Sequence, residues 1–276
     1  MTVSDAATGQ ERPVQPQVAS KPPGTARVGF GTTLRLDAWV VQPAAIGLVF
    51  TAFILYSLIS SVLLTPYFGI AYEVDGYLSP FFSPLIVLPF LPAWFSPAIL
   101  ILWIPLAFRT TCYYYRKSYY RSFFFDPPAC AVGEPSVHRR YKLETAFPFI
   151  LQNLHRYFLY LAFIPLFFLW LDAIISLRHD DQWRLGLGTL ILAANALLLS
   201  AYSFSCHSLR HLVGGKLDCF SCTAQRRTRH GAWRRVSRLN VDHGLWAWAS
   251  LLSVVAAAAY VRLLALGVLT DPAITF

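Results

Sequence analysis

The sequence predicts an all-α polytopic membrane protein, a bundle of five transmembrane helices with the N-terminus cytoplasmic and the C-terminus outside. Composition, the five apolar spans and a one-sided distribution of basic residues carry this expectation. Of the 276 residues, 56% are hydrophobic, 16% aromatic and only 13% charged. That is too little polar surface to cover a soluble globule, so a soluble enzyme is excluded.

The opening segment, residues 1–35, contains Pro13, Pro16, Pro22, Pro23 and Gly24 and no apolar run. It reads as a disordered cytoplasmic tail and not as a signal peptide. Residues 36–276 form the membrane domain, with spans at about 39–64, 93–115, 147–175, 185–213 and 243–266. Each is long enough to cross a hydrocarbon core of about 30 Å at about 1.5 Å per residue. The second span begins only near Pro92 or Pro97, because Pro80, Pro84 and Pro89 forbid regular helix upstream. The fourth ends at the Gly214-Gly215 stop. Arg116, Lys117, Arg121, Arg139, Arg140 and Lys142 lie between spans two and three, and Lys216, Arg226, Arg227, Arg229, Arg234, Arg235 and Arg238 between spans four and five. The loop with Glu73 and Asp75 has no Lys or Arg, and the loop with Asp180 and Asp181 has only Arg178 and Arg184. The positive-inside rule therefore puts both basic loops in the cytoplasm. The formal charge of +9 is then one-sided and suits an anionic leaflet or an acidic partner. Nucleic acid is not needed to explain it.

This topology gathers every cysteine and most histidines at the cytoplasmic end of the bundle. Thiols in a reducing compartment stay free. The spacing Cys219-Phe-Ser-Cys222 allows a zinc or redox pair, although one such pair without a second is weak. Counting about 20 residues inward from Pro97 places Arg109 and Cys112 in the inner leaflet, ahead of an interfacial belt of Tyr113, Tyr114 and Tyr115. An intramembrane arginine marks a site or snorkels to headgroups. The third span is free of charge only from Tyr157 to Leu171, so a full crossing carries His155 and Arg156 to membrane depth. In the fourth, Ser203, Ser205, Cys206, His207 and His211 interrupt an apolar helix. His207 and His211, one turn apart, share a face that suits a metal, a haem or capping of the last carbonyls. Cys206 points about 100° away from His207 on a regular helix. His243 opens the fifth span. Cys112, His155, Cys206, His211 and His243 thus form one layer drawn from four helices. Two thiolates with two imidazoles suit a Rieske-type [2Fe–2S] cluster, and two imidazoles on facing helices suit haem b. No Cys-x-His spacing is present, and composition leaves both open.

The stretches CYYYRKSYYRSFFFDPPACAVGEP from Cys112, ETAFPFILQNLHRYFLYLA from Glu144 and SFSCHSLRHLVGG from Ser203 resemble the membrane-anchor subunit of actinobacterial succinate dehydrogenase. The resemblance covers about residues 35 to 275. It implies a five-helix anchor in the bacterial plasma membrane, without catalytic succinate chemistry of its own. Such an anchor docks a flavoprotein carrying FAD and an iron–sulfur subunit carrying further clusters, with a small extra membrane subunit and a higher-order oligomer of the complex as further expectations. It passes electrons to menaquinone or ubiquinone and, in this branch, binds a Rieske-type cluster in place of haem. Carried over by residue, the ligands are Cys112, Cys130, His155 and His243, with Cys206 and His211 in reserve. Arg109, Arg156, Tyr157, Ser205, His207 and Trp246 are candidates for holding quinone carbonyls or supplying protons. A haem b-carrying anchor of a fumarate reductase, a transporter using the same polar residues and a metal sensor are the rival readings. No inverted repeat and no output domain is apparent in the sequence.

Overall fold

The computed structural model describes residues 29–135, 145–147, 149–179 and 182–276. The tail up to residue 28, the basic residues Arg139, Arg140 and Lys142, and the acidic pair Asp180 and Asp181 lie outside the described residues.

The first apolar span forms helix α1 (Val41–Leu58), a π turn (Ile59–Leu63) and the short helix α2 (Leu64–Phe68) in one continuous run. Gly69, at φ 65°, stops it in the left-handed conformation that glycine adopts without strain. The π turn leaves backbone carbonyls of Ser60 and Ser61 free for other donors. Ser96 donates to the carbonyl of Ser61. Arg262 reaches the carbonyl of Ser60 at 2.5 Å and those of Ile70 and Ala71 at 2.7 and 2.8 Å. A buried guanidinium is thereby satisfied by backbone oxygens instead of a carboxylate.

After a small hairpin, β1 (Glu73–Val74) and β2 (Tyr77–Leu78), the proline-rich stretch packs irregularly, with Phe81, Phe82 and Ala98 buried. The second predicted span differs from expectation here. Its helix, α3, covers only Ile99–Thr110, and after Cys112 a separate helix, α4 (Tyr113–Phe124), begins. The third span agrees with the sequence reading: a 3-10 turn (Phe149–Leu154) leads into α5 (His155–Ile175). Strands β3 (Arg178–His179) and β4 (Gln182–Gly186) then precede α6 (Leu187–Phe204). The fourth predicted span is also broken, α6 giving way at Cys206 to α7 (His207–Gly214). In both breaks a hydroxyl side chain competes for the helix carbonyls, which hydropathy does not register. The basic loop is helical: α8 (Ala224–Val241) starts from Thr223, whose side chain accepts from the Arg226 amide. The fifth span is α9 (His243–Ala265), followed by β5 (Ala273–Thr275), which pairs antiparallel with β4.

Among the described residues four helical runs are long and apolar enough to cross a membrane: Val41–Phe68, Phe149–Ile175, Leu187–Phe204 and His243–Ala265, while Ile99–Thr110 is apolar but shorter. The fold is that of a mostly helical, multi-pass membrane protein. Half of the most apolar window of α9 is buried against 17% for the first span, so α9 is central and α1 peripheral. Helix α6 packs on α5 and α9, α3 on α5, and α1 on α4. Leu55, Phe167, Leu190 and Leu252 on the outer faces remain exposed, as side chains meeting lipid do.

At the end of the bundle formed by the strands, Gly188 in the first turn of α6 lies against the ring of Tyr77; an added Cβ there would sit 2.7 Å from Tyr77 Cζ. Tyr77 has no exposed surface and its hydroxyl is tied to Asp271, so the ring cannot yield. Gly188→Ala is expected to destabilise the protein by about 1–3 kcal/mol. The check is a lowered denaturation midpoint of the purified complex, and an unchanged midpoint would show that the ring does move.

Candidate functional site

The site arises where two helices break. Thr111 ends α3 and Cys112 adopts an extended conformation before α4, while Ser205 ends α6 and Cys206 is extended before α7. Each break turns a thiol inward: Cys112 is 2% exposed and Cys206 is 0% exposed. Two histidines, the first residues of α5 and α9, meet them. His155 Nε2 lies 3.2 Å from Cys206 Sγ, and His243 Nε2 lies 3.6 Å from Cys112 Sγ. The other ring nitrogen of each is held by a hydroxyl, His155 Nδ1 by Thr111 Oγ1 at 3.0 Å and His243 Nδ1 by Ser205 Oγ at 2.6 Å. Aromatic rings fix both imidazoles from the side: Phe108 stacks on His155 at 4.8 Å and Tyr202 on His243 at 5.1 Å. Cys112, His155 and His243 share a cavity of about 190 Å³ with Thr111, Gln152 and His207.

Around this layer lies a shell of buried polar groups. Arg109 is 9% exposed and does not snorkel. It donates to Tyr115, to the Ala247 carbonyl at 3.3 Å and to Ser250 Oγ at 3.2 Å, and its guanidinium lies 4.9 Å from the centre of the Tyr202 ring. Tyr115 in turn donates to the Ala247 carbonyl, so it belongs to the interior and not to an interfacial belt. Among the described residues the buried Tyr202 hydroxyl and Trp246 indole nitrogen have no hydrogen-bond partner. Unpaired buried donors of this kind call for an explanation, and an acceptor on a bound molecule is one.

Of the residues singled out from the sequence, Cys112, His155, Cys206 and His243 are brought together, and Ser205 sits against them. Cys130 is not: its side chain is exposed in the loop after Pro127 and Pro128, and its carbonyl accepts from Arg35 at 3.1 Å. That loop is pinned elsewhere, by Arg121 to Glu134 at 3.0 Å and by pairing of Thr33 with Val132. His211 is not either; its Nε2 meets His207 Nε2 at 3.0 Å on an exposed face of α7. Arg156 and Tyr157 are exposed. Arg109 and Ser205 bond to protein groups, which leaves Trp246 as the sequence candidate whose buried donor has no partner among the described residues. Cys219 and Cys222, expected as free thiols, are joined by a disulfide away from the layer; their two-residue spacer sets the Cα atoms 5.8 Å apart, within bridging range. Sequence reasoning missed Thr111, Tyr115 and Tyr202. The one available signal was that a hydroxyl residue immediately precedes each of Cys112 and Cys206. Among the described residues no three His, Cys, Asp or Glu side chains converge on a single metal-ion position. The donors come as two Cys–His pairs.

Fold and site together define a class: multi-pass helical membrane proteins with a buried layer of thiol and imidazole groups near one end of the bundle. Comparison with known proteins narrows it. The family model for the actinobacterial succinate dehydrogenase subunit SdhC matches residues 41–267, and the chain belongs to that family. It is an SdhC-like membrane anchor of an actinobacterial succinate dehydrogenase. Among solved structures, a chain of the Mycobacterium smegmatis Sdh1 complex in the apo form is 39% identical, with a TM-score of 0.75 over 91% of this chain and 96% of that one. No curated protein matches it.

Proposed function

We propose that this anchor carries electrons from the soluble subunits of the complex to a quinone, menaquinone or ubiquinone, through a Rieske-type [2Fe–2S] cluster held by Cys112, Cys206, His155 and His243. The observation that supports this most directly is the facing of each imidazole Nε2 with a cysteine sulfur at 3.2 and 3.6 Å. The donor set fits the group: two thiols and two imidazoles are what such a cluster takes. The cluster's donor set places two cysteines on one iron and two histidines on the other. The facing of imidazole and thiol suits mixed ligation better than haem b, whose two imidazoles would face an iron and not sulfur. When bound, the cluster supplies one-electron transfer at membrane depth.

The chain's own residues do the rest. Phe108, Tyr115 and Tyr202 exclude water around the layer, and the Arg109 guanidinium places a positive charge beside it without an opposing carboxylate in its hydrogen-bond set. The Trp246 indole N–H is the donor best placed to hold a quinone carbonyl. The exposed side chains of Arg227, Arg234, Arg235 and Arg238 on α8 suit docking of an acidic face of the iron–sulfur or flavoprotein subunit. We read the apolar stretch 79–98 with α3 as completing a fifth crossing, its two ends buried at Phe81, Phe82 and Ala98 and its middle, with Val87, Phe90 and Trp94, exposed. On that reading the N-terminus and α8 are cytoplasmic, the C-terminus is outside, and the membrane is the bacterial plasma membrane. A transporter reading gains no support, since Arg109 and Arg262 are tied to backbone carbonyls instead of lining a path.

The test is the EPR spectrum of the dithionite-reduced complex. Wild type is expected to show a Rieske-type signal, and His155→Ala and His243→Ala are each expected to remove it while flavin content is retained. A b-type Soret band without that signal, or an intact signal in both variants, would overturn the assignment.

A further inference from the structure

The two helix breaks are copies of one another. Thr111 and Ser205 close α3 and α6 at φ −85°, ψ −5° and φ −83°, ψ −2°. Cys112 and Cys206 follow at φ −71°, ψ 130° and φ −60°, ψ 135°. The amides of Arg116 and Arg210, four residues on, return to the Cys112 and Cys206 carbonyls at 2.9 and 3.0 Å. In each case the next membrane helix downstream, α5 or α9, opens with its histidine. The chain thus runs twice through the same sequence of parts: helix, hydroxyl, cysteine, short helix, histidine-headed helix. The connections cross. Thr111 binds the histidine of its own half, His155, which faces the cysteine of the other half, Cys206; Ser205 binds His243, which faces Cys112.

Each hydroxyl has a single proton, and each has a helix carbonyl to give it to. Thr111 Oγ1 donates to the Ala107 carbonyl at 2.7 Å and Ser205 Oγ to the Tyr202 carbonyl at 3.0 Å. What each then offers to the imidazole is a lone pair, so the histidine Nδ1 must donate. A neutral imidazole carries one N–H, which leaves the Nε2 lone pair of both rings directed at sulfur. The hydrogen-bond network, and not an observed proton, makes this assignment.

We propose that Thr111 and Ser205 are positioning residues of two equivalent half-sites, each fixing the tautomer and the ring orientation of its histidine so that Nε2 is the atom presented to the metal cluster. This rests on the cluster reading above. It extends that reading to two residues that never touch the cluster and to a twofold plan for the site.

The test uses the complete complex carrying Thr111→Val, Ser205→Ala, or the hydroxyl-retaining Thr111→Ser and Ser205→Thr. Three quantities are read on reduced samples: the nitrogen hyperfine couplings of the two-iron signal, its midpoint potential, and the rate at which a ferrous chelator removes the cluster. Loss of either hydroxyl is expected to speed removal about 10–100-fold and to shift couplings and potential, as loss of an outer partner of a ligating histidine does. Thr111→Ser and Ser205→Thr are expected to match wild type. Assembly is monitored by co-purified flavin, and a variant that fails to assemble is replaced by Thr111→Ala or Ser205→Gly. Couplings and removal rates unchanged in both hydroxyl-free variants overturn the proposal, as does an effect at only one of the two positions, or hydroxyl-retaining variants that behave like hydroxyl-free ones. Absence of any two-iron signal from wild type sinks the cluster reading itself, an outcome distinct from a signal that ignores Thr111 and Ser205.

Discussion

Cys206→Ser is expected to abolish the two-iron EPR signal of the reduced complex, and Cys130→Ser to leave it intact. The residues differ in placement and not in chemistry. Cys206 has no exposed surface and its sulfur faces His155 Nε2, whereas Cys130 points to solvent from a loop anchored by Arg35, Arg121 and Glu134. Serine keeps nearly the size of cysteine and removes the thiolate that iron prefers, so the effect reports ligation more than packing. His211→Ala is expected to behave like Cys130→Ser, because its ring pairs with His207 on an exposed face. A signal lost in Cys130→Ser and retained in Cys206→Ser would reverse the assignment.

Asp271→Ala is expected to destabilise the chain by about 3–5 kcal/mol, the range for removing one partner of a buried ion pair. The Asp271 side chain is fully buried and joins elements that are far apart in sequence. It accepts from Tyr77 and Tyr260 hydroxyls at 2.7 Å each, from the Gly188 amide at 2.9 Å and from Arg184 at 3.0 Å. Alanine would strand four donors, one of them charged. Burial pushes the Asp271 carboxyl up, but the two tyrosine hydroxyls, the Gly188 amide and Arg184 outweigh it and hold the group below the usual carboxylate range. A folded-state value below the unfolded value of about 3.9 means that this contribution is complete above that pH and is lost as the pH falls through the folded value. Denaturation midpoints of wild type and Asp271→Asn complexes should therefore differ at neutral pH and converge on acidification below about 4. A gap that persists there would show that shape, and not charge, is what Asp271 supplies.

Much of this architecture is legible in the sequence, because long apolar runs bounded by charge leave little freedom. The fifth span is found at His243–Ala265 against an expected 243–266, and the third ends at Ile175 as expected. The gathering of His155 and His243 at one end of the bundle was legible too, since each opens an apolar span. The two breaks were not. Hydropathy runs unchanged through Thr111-Cys112 and Ser205-Cys206, while the local competition of a hydroxyl for helix carbonyls decides the bend. Treating span four as one regular helix made Cys206 point away from its neighbours; with the break, it heads α7 and turns inward. The helix α8 escaped because its arginines read as a loop, although Thr223 caps it. Cys130 shows the opposite limit. It matches a motif, but which way a proline-rich loop folds depends on partners such as Glu134 and Arg35 that no local pattern specifies.

The division of the cysteine–histidine layer between two halves of the chain also has a consequence for biogenesis. Cys112 waits for His243, 131 residues downstream, before it has its partner. An emerging chain that has inserted only its first half therefore offers one thiol and one imidazole that do not face each other. The four-residue layer is complete only when the last helix docks, so the cluster proposed above is expected to load after membrane insertion is finished, and a chain truncated before α9 keeps the His155–Cys206 pair but leaves Cys112 without His243.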